Sequence, residues 1–126
     1  MDDIQLSIAD LFRAEARGQK FAVYVPNQDR DGRPVDQAHW VTRTLTLFSQ
    51  YFGAATAIPY LKGAWLNPET RKLIVEEPQL VYSYVDGDAF AKHAAALEIF
   101  LREMGEHTNQ GQIGFEFDGI FYLMDI

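Results

Sequence analysis

The sequence predicts an α+β fold of the ferredoxin-like sandwich type, with a mainly antiparallel sheet of roughly five strands and helices on one face. Helical and strand-like patterns follow one another in the order α-β-α-β-β-α-β-β, which places an extra helix at the N-terminus. The chain has 126 residues, so it is expected to form a single domain, 1–126, around one core. An Asp118-Gly119 pair between two apolar runs predicts a tight hairpin near the C-terminus.

Two helices and one short strand are predicted in the N-terminal third of the chain. Apolar residues at helical spacing indicate a helix over 3–17, with Gly18 in the position of a C-cap glycine. Alternating apolar residues over 20–25 indicate a strand. A second helix is expected over 36–52, because an aspartate suited to an N-cap begins it and Gly53 stops it.

The middle of the chain is predicted to form a long hairpin followed by a third helix. Strands are expected over 54–66 and 71–85, joined by a turn in which a proline presets the backbone. A second proline, Pro78, indicates a bulge or an edge position in the later strand. Apolar residues spaced by threes and fours predict a helix over 88–104, with Gly105 as its terminator.

The predicted sheet has an apolar face that the helices do not cover. In the C-terminal hairpin, 113–117 pairs with 120–125, and Phe121 and Leu123 point away from the core side. One of the two apolar sets within 80–85 has to lie on the same open face. Because a contiguous apolar surface usually marks a binding surface, we expect a homodimer formed through this face, or a protein or small-molecule partner bound there.

Large rings and two adjacent carboxylates occur together in the middle segment. Glu76 and Glu77 point to opposite faces of a regular strand, so the two cannot act as a pair. One of them, facing a cleft lined by Trp65 and Tyr82, would have a raised pKa and could act as a general acid or base. The alternative is that both are edge-strand charges that discourage aggregation.

Few other residues have the spacing of a catalytic or metal site. His93 and Arg43 are the candidates to assist a glutamate in catalysis. No two histidines have the spacing of metal ligands, so no metal site is predicted from them. Asn27, Asp29 and Asp31 match the first half of a calcium loop, but the rest of that motif is missing. The alternative is a solvated turn held by side-chain hydrogen bonds. No cofactor motif is present, so we expect no cofactor.

Composition excludes several classes of partner. The formal net charge is −7, and Lys and Arg are scattered, so nucleic-acid binding is not expected. No apolar run is long enough for a membrane span, and the acidic start of the chain does not resemble a signal peptide. With no cysteine in the chain, we expect a cytoplasmic protein without disulfides.

Part of the sequence resembles a family of small bacterial α+β domains of unknown function. Their pattern has Phe-Gly-Gly-Ala-Thr, then Gly-x-Trp, then a strand with Glu. Here it is matched by Phe-Gly-Ala-Ala-Thr at 52–56, by Gly-Ala-Trp at 63–65 and by Leu-Ile-Val-Glu-Glu at 73–77. Ala54 replaces the second glycine, which removes any role that depends on a close backbone approach there. The resemblance implies a ferredoxin-like fold and an oligomer, and it implies no activity.

Three functions follow from these observations. The first is a non-enzymatic homo-oligomer that binds a partner or a small ligand through its open sheet face, with Trp65, Tyr82, Phe121 and Leu123 in contact. The second is a small dimeric hydrolase or isomerase that uses Glu76 or Glu77. The third is an acidic inhibitor protein from a mobile element, which the size and negative charge permit.

Overall fold

A five-stranded antiparallel sheet with helices packed on one face forms the body of the protein. The computed structural model describes residues 3–126, and it confirms the predicted fold class together with the extra N-terminal helix. No helix among these residues is both long enough and apolar enough to cross a membrane. In chain order the elements are α1 (Asp3–Phe12), β1 (Gln19–Val25), α2 (Gln37–Phe52), β2 (Thr56–Ile58), β3 (Gly63–Leu66), β4 (Leu73–Glu76), β5 (Gln79–Val85), α3 (Gly87–His107), β6 (Gln112–Phe117) and β7 (Ile120–Asp125).

The main sheet has the strand order β2-β5-β1-β6-β7, and every neighbouring pair is antiparallel. Strands β2, β5, β1 and β6 form the ferredoxin-like sheet, and β7 extends it by one hairpin strand. Strands β3 and β4 pair only with each other in a separate two-stranded sheet, which we call the hairpin sheet. In sequence, the hairpin sheet is therefore an insertion between β2 and β5, which are neighbours in the main sheet.

The core lies between the main sheet and helices α2 and α3, and Phe21 of β1 is at its centre. The ring of Phe21 lies 5.2 Å from that of Phe48 on α2, 5.1 Å from Phe90 on α3 and 5.9 Å from Phe115 on β6. These centroid distances are typical of aromatic pairs that stabilise cores. One buried side chain thus joins both helices to the sheet.

The signals predicted for the second helix and for the C-terminal hairpin are confirmed. The Asp36 carboxylate accepts a hydrogen bond from the backbone N–H of His39 at 3.2 Å, and Gly53 ends α2 with φ of 94°. Asp118 and Gly119 both have positive φ, 53° and 82°, as a two-residue hairpin turn requires. These features depend only on residues that are neighbours in sequence.

The predicted end of the first helix is wrong. α1 stops at Phe12, and Arg13 follows with φ of 51°, so Gly18 lies beyond the helix rather than at its cap. The observed role of Gly18 is close packing against β5, because an added Cβ would lie 1.8 Å from the carbonyl oxygen of Val85. A tertiary contact, and not helix termination, requires glycine at this position.

The predicted end of the third helix is also wrong. α3 continues through Gly105 to His107. A Cβ on Gly105 would lie 2.6 Å from the side chain of Ile126 and 3.1 Å from that of Ile113. The glycine therefore allows the C-terminal end of the chain and β6 to approach the helix closely.

Each of the two long strands predicted in the middle of the chain is divided into two. The segment 54–66 is interrupted by Pro59 and by Tyr60, whose φ is 63°, and the segment 71–85 is interrupted at Pro78. Proline cannot donate to a strand ladder, and a positive φ turns the chain out of the strand direction. The two interruptions separate the hairpin sheet from the main sheet.

Replacing Gly18 by alanine should destabilise the protein by about 3 kcal/mol, since the new methyl group would overlap backbone atoms of β5. The free energy of unfolding from urea denaturation measures this effect. Gly111→Ala is the matched control, because a Cβ there meets no atom within 4 Å and no positive φ is recorded for that glycine. Equal stabilities of the two variants would contradict the proposed contact.

Candidate functional site

One face of the hairpin sheet brings an indole and a carboxylate together. Trp65 pairs with Ile74, and Gly63 pairs with Glu76, so all four residues share one face of the two strands. The indole Nε1 of Trp65 donates a hydrogen bond to Oε1 of Glu76 at 3.3 Å. Gly63, opposite Glu76, has no side chain, and an added Cβ there would meet no atom within 4 Å; Glu76 itself is half-buried. We call Gly63, Trp65, Ile74 and Glu76 the hairpin site.

The hairpin site is accessible to a ligand. The Trp65 side chain is 48% exposed, although large aromatic side chains are usually well buried. Only Oε1 of Glu76 has a hydrogen-bond partner among the described residues, so the second oxygen is available. The site can therefore offer a flat aromatic surface and a negative charge to a ligand that has both a ring and a cationic group.

Hydrogen bonds at the base of the hairpin sheet connect it to the main sheet and to α2. The side-chain amide of Gln37 donates to the carbonyl oxygens of Val25 and Glu77 at 3.1 and 3.0 Å. The backbone N–H of Glu77 donates to Oδ1 of Asn27 at 2.9 Å. Glu77 thus attaches the hairpin through its main chain, while Glu76 presents its side chain to the site.

Of the predicted cleft residues, the structure brings together Trp65 and Glu76. Tyr82 lies on the main sheet, where the ammonium group of Lys20 is 4.3 Å from the centre of its ring. Tyr82 pairs with Thr56 of β2, whereas Trp65 pairs with Ile74 in the hairpin sheet, so the strand register keeps the two rings apart. Glu76 is the last residue of β4 and accepts a hydrogen bond from Trp65, whereas the recorded hydrogen bonds of Glu77 are made by its main chain.

His93 and Arg43 lie in the helical layer and do not join the hairpin site. The ring of His93 stacks on that of Tyr51 with centroids 4.0 Å apart. Arg43 forms an ion pair with Glu103 at 2.9 Å and so connects α2 to α3. The hydrogen bond from Arg43 lowers the pKa of Glu103. Both predicted assistants thus have structural partners, and neither contacts Glu76 within residues 3–126.

Asn27, Asp29 and Asp31, the residues of the predicted partial calcium loop, each accept a hydrogen bond from within the chain. Asp29 accepts from the backbone N–H groups of Asp31 and Arg33 at 2.8 and 2.9 Å, and the bond from Arg33 is the main reason that its pKa is lowered. Asn27 holds the base of the hairpin, and Asp31 accepts from Asn109 at 3.4 Å. No group of three or more His, Asp or Glu side chains able to hold a metal ion occurs among the described residues.

A second group of polar and aromatic side chains lies on the open face, the main-sheet face without helices. The hydroxyl of Tyr24 donates to Oε2 of Glu116 at 2.5 Å. This bond to a carboxylate, together with partial burial and the negative charge of Glu116, raises the pKa of Tyr24 to about 12. The ring of Phe121 covers Gly114 and meets Tyr24 edge-on, with centroids 5.9 Å apart.

Sequence reasoning missed the Tyr24–Glu116 pair, because its members are separated by 92 positions. It predicted correctly that Phe121 and Leu123 lie on the open face, and both side chains are more than half exposed. The set from 80–85 that shares this face is Leu80, Tyr82 and Tyr84, of which only Leu80 is buried. The open face is therefore an apolar surface with one hydrogen-bonded carboxylate.

Replacing Glu116 by glutamine should lower the pKa of Tyr24 from about 12 towards its ordinary value of 10, since the charged acceptor is removed. In the wild type the raised pKa of Tyr24 favours the neutral phenol. The contribution of the Tyr24–Glu116 hydrogen bond to the free energy of unfolding is therefore complete below about pH 10 and is lost as the pH rises towards 12. NMR titration of tyrosine Cζ measures the pKa, and Tyr24→Phe assigns the signal. An unchanged titration in Glu116→Gln would contradict the assignment.

Comparison with known proteins gives a similarity of backbone and not of sequence. No protein-family model matches the chain, and no curated protein matches it in sequence. A phage SAM lyase in complex with S-methyl-5'-thioadenosine has a similar structure, with a TM-score of 0.64, 14% sequence identity, and coverage of 89% of this chain and 92% of the lyase chain. A phage SAM lyase in the apo state gives a TM-score of 0.57 at 14% identity over 87% and 90% of the two chains. The fold of this chain is similar to that of phage SAM lyases.

Proposed function

We propose that this protein binds S-adenosylmethionine and cleaves it as a lyase, with the hairpin site in contact with the substrate. The observation that carries the proposal is the backbone similarity to a phage SAM lyase over 89% of this chain and 92% of the other. A likeness of that extent covers most of both chains and not a single shared motif. The exposed indole and the half-buried carboxylate of the hairpin site add chemical support, since the substrate has a ring system and two cationic centres.

The chemistry expected of such a lyase follows from its substrate and product. S-methyl-5'-thioadenosine keeps the adenosyl group, the sulfur and the methyl group of S-adenosylmethionine. The bond that breaks therefore joins the sulfonium sulfur to the Cγ atom of the amino-acid part, and its electron pair stays on the sulfur. The carbon chain completes the reaction without water, either by bonding Cγ to its own carboxylate or by losing a proton from the neighbouring carbon.

We assign Glu76 to the α-ammonium group of the substrate. The sulfonium charge disappears as the bond to sulfur breaks, so a carboxylate beside the sulfur would stabilise the substrate more than the transition state. The ammonium group keeps its charge throughout, and a carboxylate oxygen can hold it without that penalty. Oε2 of Glu76, which has no partner among the described residues, is available for this contact.

We assign Trp65 to the adenine ring. A half-exposed indole provides a surface on which a nucleobase stacks, and this contact contributes about 1–3 kcal/mol where it has been measured in nucleic-acid complexes. The hydrogen bond from Nε1 to Glu76 fixes the orientation of the indole relative to the carboxylate. The hairpin site would thus hold the two ends of the substrate and leave the sulfonium between them.

Glu76→Gln should lower kcat/KM for S-adenosylmethionine by about 10- to 100-fold, because a hydrogen bond between charged groups is lost. The assay follows formation of S-methyl-5'-thioadenosine by liquid chromatography and mass spectrometry. Glu77→Gln is the matched control, since Glu77 lies next in sequence and its recorded contacts are made by its main chain. Absence of product with the wild-type protein, or equal losses in the two variants, would refute the assignment.

Self-association through the open face is a second proposal, supported by the exposure of its apolar side chains. Tyr84, Phe121 and Leu123 are all more than half exposed on one face of the main sheet. Exposed apolar patches of this kind on otherwise ordinary surfaces often mark contacts between proteins. A second copy would bury these side chains.

Leu123→Asp should lower the mass measured by light scattering at micromolar concentration, because a buried unpaired carboxylate opposes association. Ile99→Asp is the control: Ile99 is similarly exposed but lies on α3, in the layer opposite the open face. The wild type should have a mass above that of one chain. A wild-type mass of one chain would end the proposal, as would an equal effect of the two substitutions.

A further inference from the structure

The main chain next to Glu76 is held by side chains from outside the hairpin sheet. The backbone N–H of Glu77 donates to Oδ1 of Asn27 at 2.9 Å, and the carbonyl oxygen of Glu77 accepts from Nε2 of Gln37 at 3.0 Å. A peptide unit is planar, so the N–H of Glu77 and the Cα atom of Glu76 move together. The hydrogen bond to Asn27 therefore restrains the Cα atom that carries the Glu76 carboxylate.

Asn27 and Gln37 are in turn fixed to the body of the domain. Gln37 is the first residue of α2, directly after the N-cap Asp36, and its backbone N–H donates to the carbonyl oxygen of Val35 at 2.9 Å. The backbone N–H of Val35 donates to the carbonyl oxygen of Asn27 at 3.1 Å. The two side chains are thus joined through Val35 and hold the hairpin sheet from one support.

Both ends of the Gln37 amide are used. Nε2 donates to the carbonyl oxygens of Val25 and Glu77 at 3.1 and 3.0 Å, and Oε1 accepts from Nε2 of Gln79 at 3.3 Å. The amide therefore joins the end of β1, the start of β5 and the base of the hairpin sheet. A carboxylate in its place would lose both donated bonds and would set a negative charge against two carbonyl oxygens.

Strand pairing does not set the position of the hairpin sheet against the main sheet. β3 and β4 pair only with each other. Residues 59–62 lead into β3 and residues 77–78 lead out of β4, and Tyr60 in the first connection is 97% exposed. The arrangement leaves the positioning of the hairpin sheet to contacts made by side chains.

We propose that Asn27 and Gln37 are positioning residues of the hairpin site, which hold Glu76 and Trp65 in place for the substrate. The indole follows the carboxylate, because Nε1 of Trp65 donates to Oε1 of Glu76. This inference deepens the proposed function and rests on it. The ammonium group assigned to Glu76 keeps its charge in the transition state, so a displaced carboxylate weakens binding of the substrate and of the transition state equally. Loss of the positioning bonds should accordingly raise KM and leave kcat nearly unchanged.

Nearly isosteric substitutions test the bonds one at a time. Gln37→Glu removes two donated bonds and Asn27→Leu removes the accepted one, and each should raise KM for S-adenosylmethionine by about 3- to 10-fold with kcat changed by less than about twofold. Asn27→Asp keeps an acceptor oxygen and should restore most of the affinity that Asn27→Leu loses. Gln50→Glu is the control for added charge, since Gln50 is an exposed residue near the other end of α2.

The position of the hairpin sheet is measured separately from activity. The chain has no cysteine, so spin labels can be attached at Glu69→Cys in the hairpin turn and at Ala95→Cys on α3, both of which are exposed positions. Pulsed electron paramagnetic resonance gives the distribution of distances between the two labels. We expect a narrow distribution with Asn27 and Gln37 intact and with Asn27→Asp, and a broader one with Gln37→Glu or Asn27→Leu. Circular dichroism verifies that all variants fold.

Three results would overturn the proposal. Equal distance distributions in all variants would show that other contacts set the position of the hairpin sheet. Equal effects of Asn27→Asp and Asn27→Leu would show that the acceptor oxygen is not what matters at this position. A broader distribution with an unchanged KM would show that substrate binding does not depend on the position. Absence of product with every variant would refute the proposed function instead, and the distance distributions would still decide whether Asn27 and Gln37 position the hairpin sheet.

Discussion

The position of β1 at the centre of the main sheet is the constraint on which the rest of the structure depends. β1 pairs along its full length with β5 on one side and over residues 21–23 with β6 on the other. The side chains of Phe21, Ala22, Val23 and Val25 are almost fully buried. Phe21 holds both helices on the sheet, and the carbonyl of Val25 accepts one of the bonds that anchor the hairpin sheet. β1 thus organises the core, and through Val25 and Gln37 it is also linked to the base of the hairpin sheet.

Local sequence signals predicted the elements well, and long-range contacts account for the errors. Asp36, Gly53 and the Asp118-Gly119 turn act through adjacent residues, so their roles could be predicted from the sequence. Gly18 and Gly105 each follow a helical pattern, as a C-cap glycine does. The residues that pack against them in the fold, Val85 and Ile126, are distant in sequence. A glycine required by tertiary packing cannot be distinguished from a cap without knowledge of that packing.

The residues of the candidate site could be predicted from the sequence, but which of them lie in contact could not. Alternation along a strand shows that Glu76 and Glu77 diverge, but only the register Gly63–Glu76 determines which of them reaches Trp65. Tyr82 was expected beside Trp65 in one cleft, but the register places Tyr82 opposite Thr56 in the main sheet and Trp65 opposite Ile74 in the hairpin sheet. The backbone similarity to phage SAM lyases supplies a chemical hypothesis that neither composition nor charge suggested.

The prolines that interrupt the two long strands have a consequence for divergence among related chains. Because Pro59 and Pro78 end the ladder on both sides of the hairpin sheet, a residue gained or lost between them does not shift the register of β2 against β5. The hairpin behaves as a module attached at its base by Asn27 and Gln37. Its length and surface can change under selection for a new ligand while the remainder of the domain keeps its core unaltered.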